Sequence, residues 1–99
     1  MDNKEINIFV EEAEKNRIPP DEFPTYREIV DEVMAVFEHK ILPNTATFDK
    51  EKVEWSVSEL SKYIDGKKIR LSDRERDFLE KVVAVITKKR LGVKRFAGG

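Results

Sequence analysis

Apolar residues recur at helical spacing in four stretches of the chain. In the first stretch Ile6, Phe9, Val10 and Ala13 fall at positions i, i+3, i+4 and i+7, which is the spacing of an amphipathic helix. The same spacing recurs three more times along the sequence, and polar residues occupy the intervening positions. We therefore predict four helices, over residues 3–16, 25–42, 56–65 and 72–90.

Each predicted helix begins at a capping box, in which the side chains of the N-cap residue and of the residue three places later cap each other's backbone N–H groups. The four pairs are Asp2 with Glu5, Thr25 with Glu28, Ser56 with Glu59, and Ser72 with Glu75. The predicted helix ends coincide with residues that do not continue a helix: Pro19 and Pro20, Pro43, Gly66 and Gly92. Proline lacks the required N–H, and glycine readily adopts the left-handed conformation that follows many helices.

Residues 44–55 can be interpreted in two ways. Thr45, Thr47, Val53 and Trp55 favour a strand, whereas Val53 also continues the apolar stripe of the third predicted helix. The segment 67–71 is short and suits a second strand. The sequence thus leaves open a small β hairpin between residues 45–55 and 67–71.

The fourth predicted helix has an unusually broad apolar face, so we expect it to lie at the centre of the fold. Its expected neighbours are Ile29, Val33 and Phe37 of the second helix, with Trp55 and Tyr63 closing the edges of the core. The expected fold class is mainly α, a four-helix single domain with that small hairpin. Residues 1–99 form one compact domain in this interpretation, and residues 93–99 form a flexible basic tail.

The composition indicates a heat-stable protein. Cysteine and glutamine are absent and 39% of the residues are charged, a pattern expected where heat destroys amides and thiols and where ion pairs stabilise the fold. A short, cysteine-free, Lys- and Glu-rich chain of this kind resembles the small uncharacterised proteins of filamentous double-stranded-DNA viruses that infect hyperthermophilic archaea. The resemblance implies a protein of unassigned role inside the host cell, a sparsely populated or new fold, and high tolerance of heat and acid.

The charges are sorted along the chain. Residues 1–49 contain twelve acidic and five basic residues, whereas residues 50–99 contain eight and fourteen, so a net charge of −1 conceals two oppositely charged halves. A basic region near the C-terminus could bind phosphate, and an aromatic residue there could stack on a base. The candidate nucleic-acid-binding residues are Lys81, Lys88, Lys89, Arg90, Lys94, Arg95 and Phe96. The alternative is that three of these cations interact with the helix C-terminus and the others keep a terminal segment solvated.

Catalytic patterns are missing from the sequence. His39 is the only histidine, and the chain has no HExxH, no GxSxG and no glycine-rich phosphate loop. We therefore expect a protein that is not an enzyme, with no catalytic residues, no metal site and no cofactor.

The sequence favours an interaction protein that uses one pole of its charge distribution. In the first version the basic region binds nucleic acid without sequence preference; in the second the acidic N-terminal half binds a host protein as a regulator or inhibitor. Association of opposite poles into a homo-oligomer is a third version. The longest apolar run, over 82–86, is far too short to span a membrane, and the N-terminus lacks the basic residues of a secretory signal. We therefore expect no membrane partner and an intracellular location, the host cytoplasm for a viral protein.

Overall fold

Four α-helices account for most of the chain. The structure, a computed structural model, describes residues 1–44 and 46–98, and the side chains among them up to residue 92. The helices are α1 (Asn3–Lys15), α2 (Phe23–Val36), α3 (Asp49–Gly66) and α4 (Asp73–Gly98). A 3₁₀ turn over Pro20–Glu22 precedes α2, and a π-helical turn over Phe37–Ile41 follows it. The prediction of a mainly helical four-helix domain is confirmed.

The predicted capping box of α1 is present. The Glu5 backbone N–H donates to Asp2 Oδ1 at 2.8 Å and the Asp2 N–H donates to Glu5 Oε1 at 3.4 Å. At the other end Arg17 takes the left-handed conformation, with φ of 56°. The N–H groups of Arg17 and Ile18 then donate to the carbonyls of Glu14 and Ala13, which is the Schellman arrangement that satisfies the last carbonyls of a helix.

Helix α2 begins two residues before its predicted start. The turn over Pro20–Glu22 leads directly into Phe23, and Pro24 occupies the first turn of the helix, where its missing N–H costs nothing. Thr25 therefore lies inside the helix and makes no capping hydrogen bond, so its predicted capping box with Glu28 is wrong. The predicted end near residue 42 is confirmed, because the π-helical turn continues to Ile41.

Helix α3 is much longer than predicted, and the hairpin is not seen. Residues 49–55 are helical, 67–71 form a turn and an extended connection, and the described residues include no strand; Thr45 lies outside them. Ser56 is not an N-cap: it lies within α3 and is fully buried. Gly66 is the last helical residue, and Lys68, with φ of 55°, takes the left-handed position that follows.

Helix α4 begins as predicted and ends later. The Ser72 N–H donates to Glu75 Oε1 at 2.9 Å and the Glu75 N–H donates to Ser72 Oγ at 3.2 Å, which confirms this capping box. The predicted stop at Gly92 is wrong, because the helix continues to Gly98. The flexibility of residues 93–99 stays a prediction, since their side chains and Gly99 lie outside the described part of the chain.

Helix α4 is the centre of the fold, as its broad apolar face predicted, and it packs against each of the other three helices. Phe78 of α4 meets Phe9 of α1 and Tyr26 of α2 edge to face, with ring centroids 5.3 and 5.8 Å apart. Such pairs add about 0.5–1.5 kcal/mol each to the burial of the rings. Trp55 does not close the core edge as predicted, because it remains 41% exposed.

Candidate interaction surfaces

The structure divides the predicted basic residues into two groups on different sides of α4. Lys81 and Lys88 are exposed, whereas Lys89 and Arg90 are half-buried and form ion pairs with the N-terminal part of the chain. The remaining three candidates, Lys94, Arg95 and Phe96, have side chains beyond the described ones. We predicted from the sequence that these cations form one surface. They do not, because successive residues of a helix are rotated about 100° from each other.

Arg90 forms the most complete of these ion pairs, with the buried carboxylate of Glu5. Arg90 Nε donates to Glu5 Oε2 and Arg90 Nη2 donates to Glu5 Oε1, both at 2.9 Å. Only 4% of the Glu5 side chain is exposed. A planar guanidinium that donates twice to one carboxylate fixes both orientation and distance, so this pair docks α1 onto α4 in a defined register.

Lys89 and Glu38 extend the pair into a five-residue cluster. Lys89 Nζ lies 2.9 Å from Asp2 Oδ2 and 3.4 Å from Glu5 Oε2, and Arg90 Nη1 lies 3.0 Å from Glu38 Oε1. Because Glu38 belongs to the π-helical turn, the cluster ties together α1, α4 and the end of α2. We call these five residues the terminal charge cluster.

The pKa values in the terminal charge cluster shift in the directions that favour the ion pairs. The Arg90 hydrogen bonds hold the pKa of the Glu5 carboxyl below its ordinary value, despite the opposing effect of burial. The Glu5 backbone N–H, and after it Lys89, lower the pKa of Asp2, and the hydrogen bond to Asp2 raises the pKa of Lys89. All three groups are thus held in their charged forms at neutral pH, and none is poised to exchange a proton.

Glu5 was recognised from sequence only as a capping residue. Its role as a buried ion-pair partner is also indicated by the sequence, because Glu5 lies four residues before Phe9 and therefore shares the buried face of α1. An acidic residue on an apolar helix face requires a cationic partner elsewhere in the chain. The sequence does not identify that partner, since Arg90 is 85 residues away.

The outward side of α4 carries exposed cations that lie outside the terminal charge cluster. Arg74, Lys81 and Lys88 are exposed and follow one another at intervals of seven residues, which places them along one side of the helix at about 10 Å spacing. None of the three takes part in a described ion pair or hydrogen bond, although the charge of Arg74 helps to lower the pKa of the neighbouring Glu75. We call these three residues the α4 basic stripe; Asp77, also exposed, lies between the first two.

A groove lies where α3 and α4 meet, beside the last residue of the α4 basic stripe. It has a volume of about 500 Å³ and is lined by Asp49, Lys50, Val53, Glu54, Lys88, Leu91 and Gly92. Val53 and Leu91 give the groove an apolar part, and its charged lining residues are of both signs. The groove can therefore take an apolar side chain, but it offers no convergent set of polar groups that would orient a reacting molecule.

A second polar contact lies at the opposite end of α4. The Tyr26 hydroxyl donates to Glu75 and, at 3.4 Å, to Glu22. Burial first, and then the hydrogen bond to Glu75, raise the pKa of the Tyr26 phenol, and the bond from Tyr26 lowers the pKa of Glu75. Because Glu75 also caps α4, the contact fixes the start of α4 against α2.

Within the described residues, no group of three or more His, Asp or Glu side chains is placed to hold a metal ion. His39 is exposed on the π-helical turn, and no described hydrogen bond or ion pair involves it. The described helices include none that is long and apolar enough to cross a membrane.

Comparisons with protein-family models, with curated proteins and with solved structures found no match to this chain.

Proposed function

We propose that this protein is a non-enzymatic interaction protein that binds the phosphate backbone of nucleic acid through the α4 basic stripe. Binding of this kind needs cations that are accessible, aligned and free of internal partners. It requires no fixed base contacts, so it carries no sequence preference.

The observation that carries the proposal is the contrast between the two sides of α4. The terminal charge cluster engages Lys89 and Arg90 with acids of the same chain, whereas Lys81 and Lys88 face solvent with no described counter-ion. A phosphate that approached Lys89 or Arg90 would have to displace Asp2 and Glu5. We therefore assign binding to the stripe and not to the whole basic region.

Lys94 and Arg95 remain proposed members of the same surface. Arg95 follows Lys88 by seven residues and so continues the sequence interval of the stripe. Phe96 stays the proposed stacking residue for an unpaired base.

The test is duplex DNA binding, measured by fluorescence anisotropy at several salt concentrations. The unmodified protein should bind at low salt, and the logarithm of its affinity should fall linearly with the logarithm of salt concentration. The variant Arg74→Ser/Lys81→Ser/Lys88→Ser should bind more weakly, with a slope reduced by about 2–3, because each phosphate contact contributes about 0.9.

The matched control is Lys4→Ser/Arg27→Ser/Lys40→Ser, which removes the same charge from exposed sites that lie away from α4 and take part in no described ion pair. If binding is a response to net charge alone, both variants lose affinity equally and the stripe has no special role. If the unmodified protein has no affinity at low salt, nucleic acid is not the partner.

The exposed acids of α2 favour a second candidate function. Glu28 and Glu32 are exposed and lie one helical turn apart, with Asp31 beside them. Asp31 takes part in one described ion pair, with the N-terminal amino group of Met1 at 3.7 Å. Unlike Asp2 and Glu5, Glu28 and Glu32 have no described cationic partner. This surface would bind a basic segment of another protein, and Glu28→Gln/Glu32→Gln would weaken capture of such a partner without affecting DNA binding.

The proposed cellular setting rests on the resemblance in composition and not on the α4 basic stripe. We propose an intracellular protein of viral origin, acting in the host cytoplasm, without a cofactor.

A further inference from the structure

Both of the large apolar side chains that are exposed among the described residues lie on one side of α3. Phe48, at the N-cap of the helix, is 80% exposed and Trp55 is 41% exposed. They are seven residues apart, so they lie about 10 Å apart along the axis and within about 20° of each other around it. Two exposed aromatic rings on one face of a helix mark that face as a candidate contact surface.

The C-terminal end of this side of α3 has open space, whereas its N-terminal end carries the two aromatic rings. Gly66 lies eleven residues after Trp55, and Ser58 lies three residues after Trp55. Both therefore lie within about 60° of Trp55 around the helix. Both are exposed, and a Cβ atom built on Gly66 would meet nothing within 4 Å. One end of the face thus carries the exposed ring of Phe48 and the other end carries the open space at Gly66, with the long side chain of Lys62 between Trp55 and Gly66.

The charges on this face have a matching symmetry. Consider the point on the axis of α3 midway between Trp55 and Ser58. Glu51 lies about 8 Å before this point and Lys62 about 8 Å after it, and both side chains are exposed. When two α3 helices pack antiparallel about a two-fold axis at that point, each Glu51 stands opposite Lys62 of the second copy. Because Trp55 and Ser58 lie about 60° apart around the helix, each Trp55 meets Trp55 of the second copy beside the two-fold axis, and each Phe48 reaches the open space beside Gly66.

We propose that this face of α3 joins two copies of the chain in an antiparallel two-fold dimer. In one and the same register the two Trp55 rings meet each other, Phe48 faces the space beside Gly66 and Glu51 faces Lys62, which is the self-complementarity that a two-fold contact requires. The face is not predominantly basic, so it does not favour phosphate over a second copy. The ion pair of Lys62 with Glu59 at 3.3 Å is exposed and weak, and it can exchange for the contact with Glu51.

The proposal does not depend on the α4 basic stripe, and its experiment contains no nucleic acid at first. Light scattering coupled to size exclusion should give a mass that rises from 11.6 kDa towards twice that value with concentration. Trp55 is the only tryptophan, so its emission should shift to the blue over the same concentration range as the ring leaves water.

Two variants separate this contact from other modes of association. Phe48→Ser removes an exposed ring and Ser58→Arg brings two arginines together beside the two-fold axis, and neither changes the core of the monomer. Each should raise the dimer dissociation constant about tenfold or more, as expected for a residue central to an interface. Glu54→Lys is the control, because Glu54 is exposed but lies about 100° around the helix from Trp55.

A charge exchange tests the register. Glu51→Lys and Lys62→Glu should each weaken the dimer by placing like charges opposite each other, and Glu51→Lys/Lys62→Glu should restore it. A monomer at every concentration overturns the proposal, and so does a dimer that persists in Phe48→Ser and Ser58→Arg. A monomer whose Trp55 emission shifts only when single-stranded DNA is added overturns it as well and assigns the face to nucleic acid.

Discussion

Glu5 and Arg90, 85 residues apart, are joined by two hydrogen bonds of 2.9 Å each, between a buried carboxylate and the edge of a guanidinium. This pair explains part of the separation of charge along the sequence. Some of the acids near the N-terminus and some of the bases near the C-terminus are partners of each other. Only the remainder is available to another molecule.

The first prediction concerns this pair. Glu5→Gln keeps the shape of the side chain but removes its charge, so we expect the free energy of unfolding at neutral pH to fall by about 1.5–3 kcal/mol. Glu11→Gln, on the exposed side of α1, should change it by less than about 0.5 kcal/mol. Urea unfolding followed by circular dichroism provides the measurement, and equal midpoints for the two variants would show that the pair adds no stability.

The pH dependence of the same variants has a definite sign. The pKa of Glu5 is lowered in the folded protein from an ordinary value of 4.5, so its contribution is present above that value and is lost as the pH falls through the folded pKa. The unfolding curves of the unmodified protein and of Glu5→Gln should therefore differ at neutral pH and converge as the pH falls below 4.5 and through the lowered pKa of Glu5 in the folded protein. A gap that stays constant down to acidic pH would rule out the charge of Glu5 as its cause.

The second prediction concerns Arg17 and Lys68, which take left-handed backbone conformations after α1 and α3. Side chains with a Cβ atom pay about 1–2 kcal/mol in this conformation and glycine does not, although glycine loses more entropy on folding. Arg17→Gly and Lys68→Gly should each stabilise the protein by about 0.5–1 kcal/mol. Arg17→Ala retains the Cβ atom and should show no comparable gain in the urea midpoint.

The third prediction concerns Ser56. Its Oγ atom is buried and has no hydrogen-bond partner among the described residues. Removing an unpartnered buried hydroxyl removes a desolvation cost, so Ser56→Ala should stabilise the fold by about 1 kcal/mol. Ser58→Ala, on the exposed side of the same helix, serves as the control and should leave the melting temperature nearly unchanged.

The fourth prediction tests the orientation of α4. Val82 is fully buried and Lys81 is exposed. Val82→Asp places an unpaired carboxylate in the core and should cost about 3–5 kcal/mol, whereas Lys81→Asp should cost less than about 1 kcal/mol. Similar denaturant midpoints for these two neighbours would contradict the observed packing.

The helices were largely predictable because their apolar periodicity is strong, and the capping signals were less reliable. Asp2 and Ser72 cap helices as predicted, while Thr25 and Ser56 have the same sequence signature and lie inside helices. A capping box marks a helix start only when the chain before it leaves the helix. For Ser56 it does not, because Lys52 and Val53 pack against the rest of the fold and extend α3 upstream.

The candidate surfaces were less predictable than the fold. The basic residues were identifiable by type, but their division between the terminal charge cluster and the α4 basic stripe depends on which acids lie beside α4 in space. The exposure of Phe48 was equally hidden, since an aromatic residue next to an apolar periodic segment is ordinarily buried. Tertiary packing determines both the division of the basic residues and the exposure of Phe48, and neither can be predicted from the local sequence.

The contact between Glu5 and Arg90 also sets an order of events during synthesis. A ribosome adds about 5–20 residues per second, so Glu5 waits on the order of 5–20 s after its own synthesis before Arg90 exists. During that interval α1 has its capping box but lacks the guanidinium that docks it. Helix α1 is therefore synthesised first but is among the last helices to be fixed in place. A chain that stops before residue 90 leaves the Glu5 carboxylate without its cationic partner.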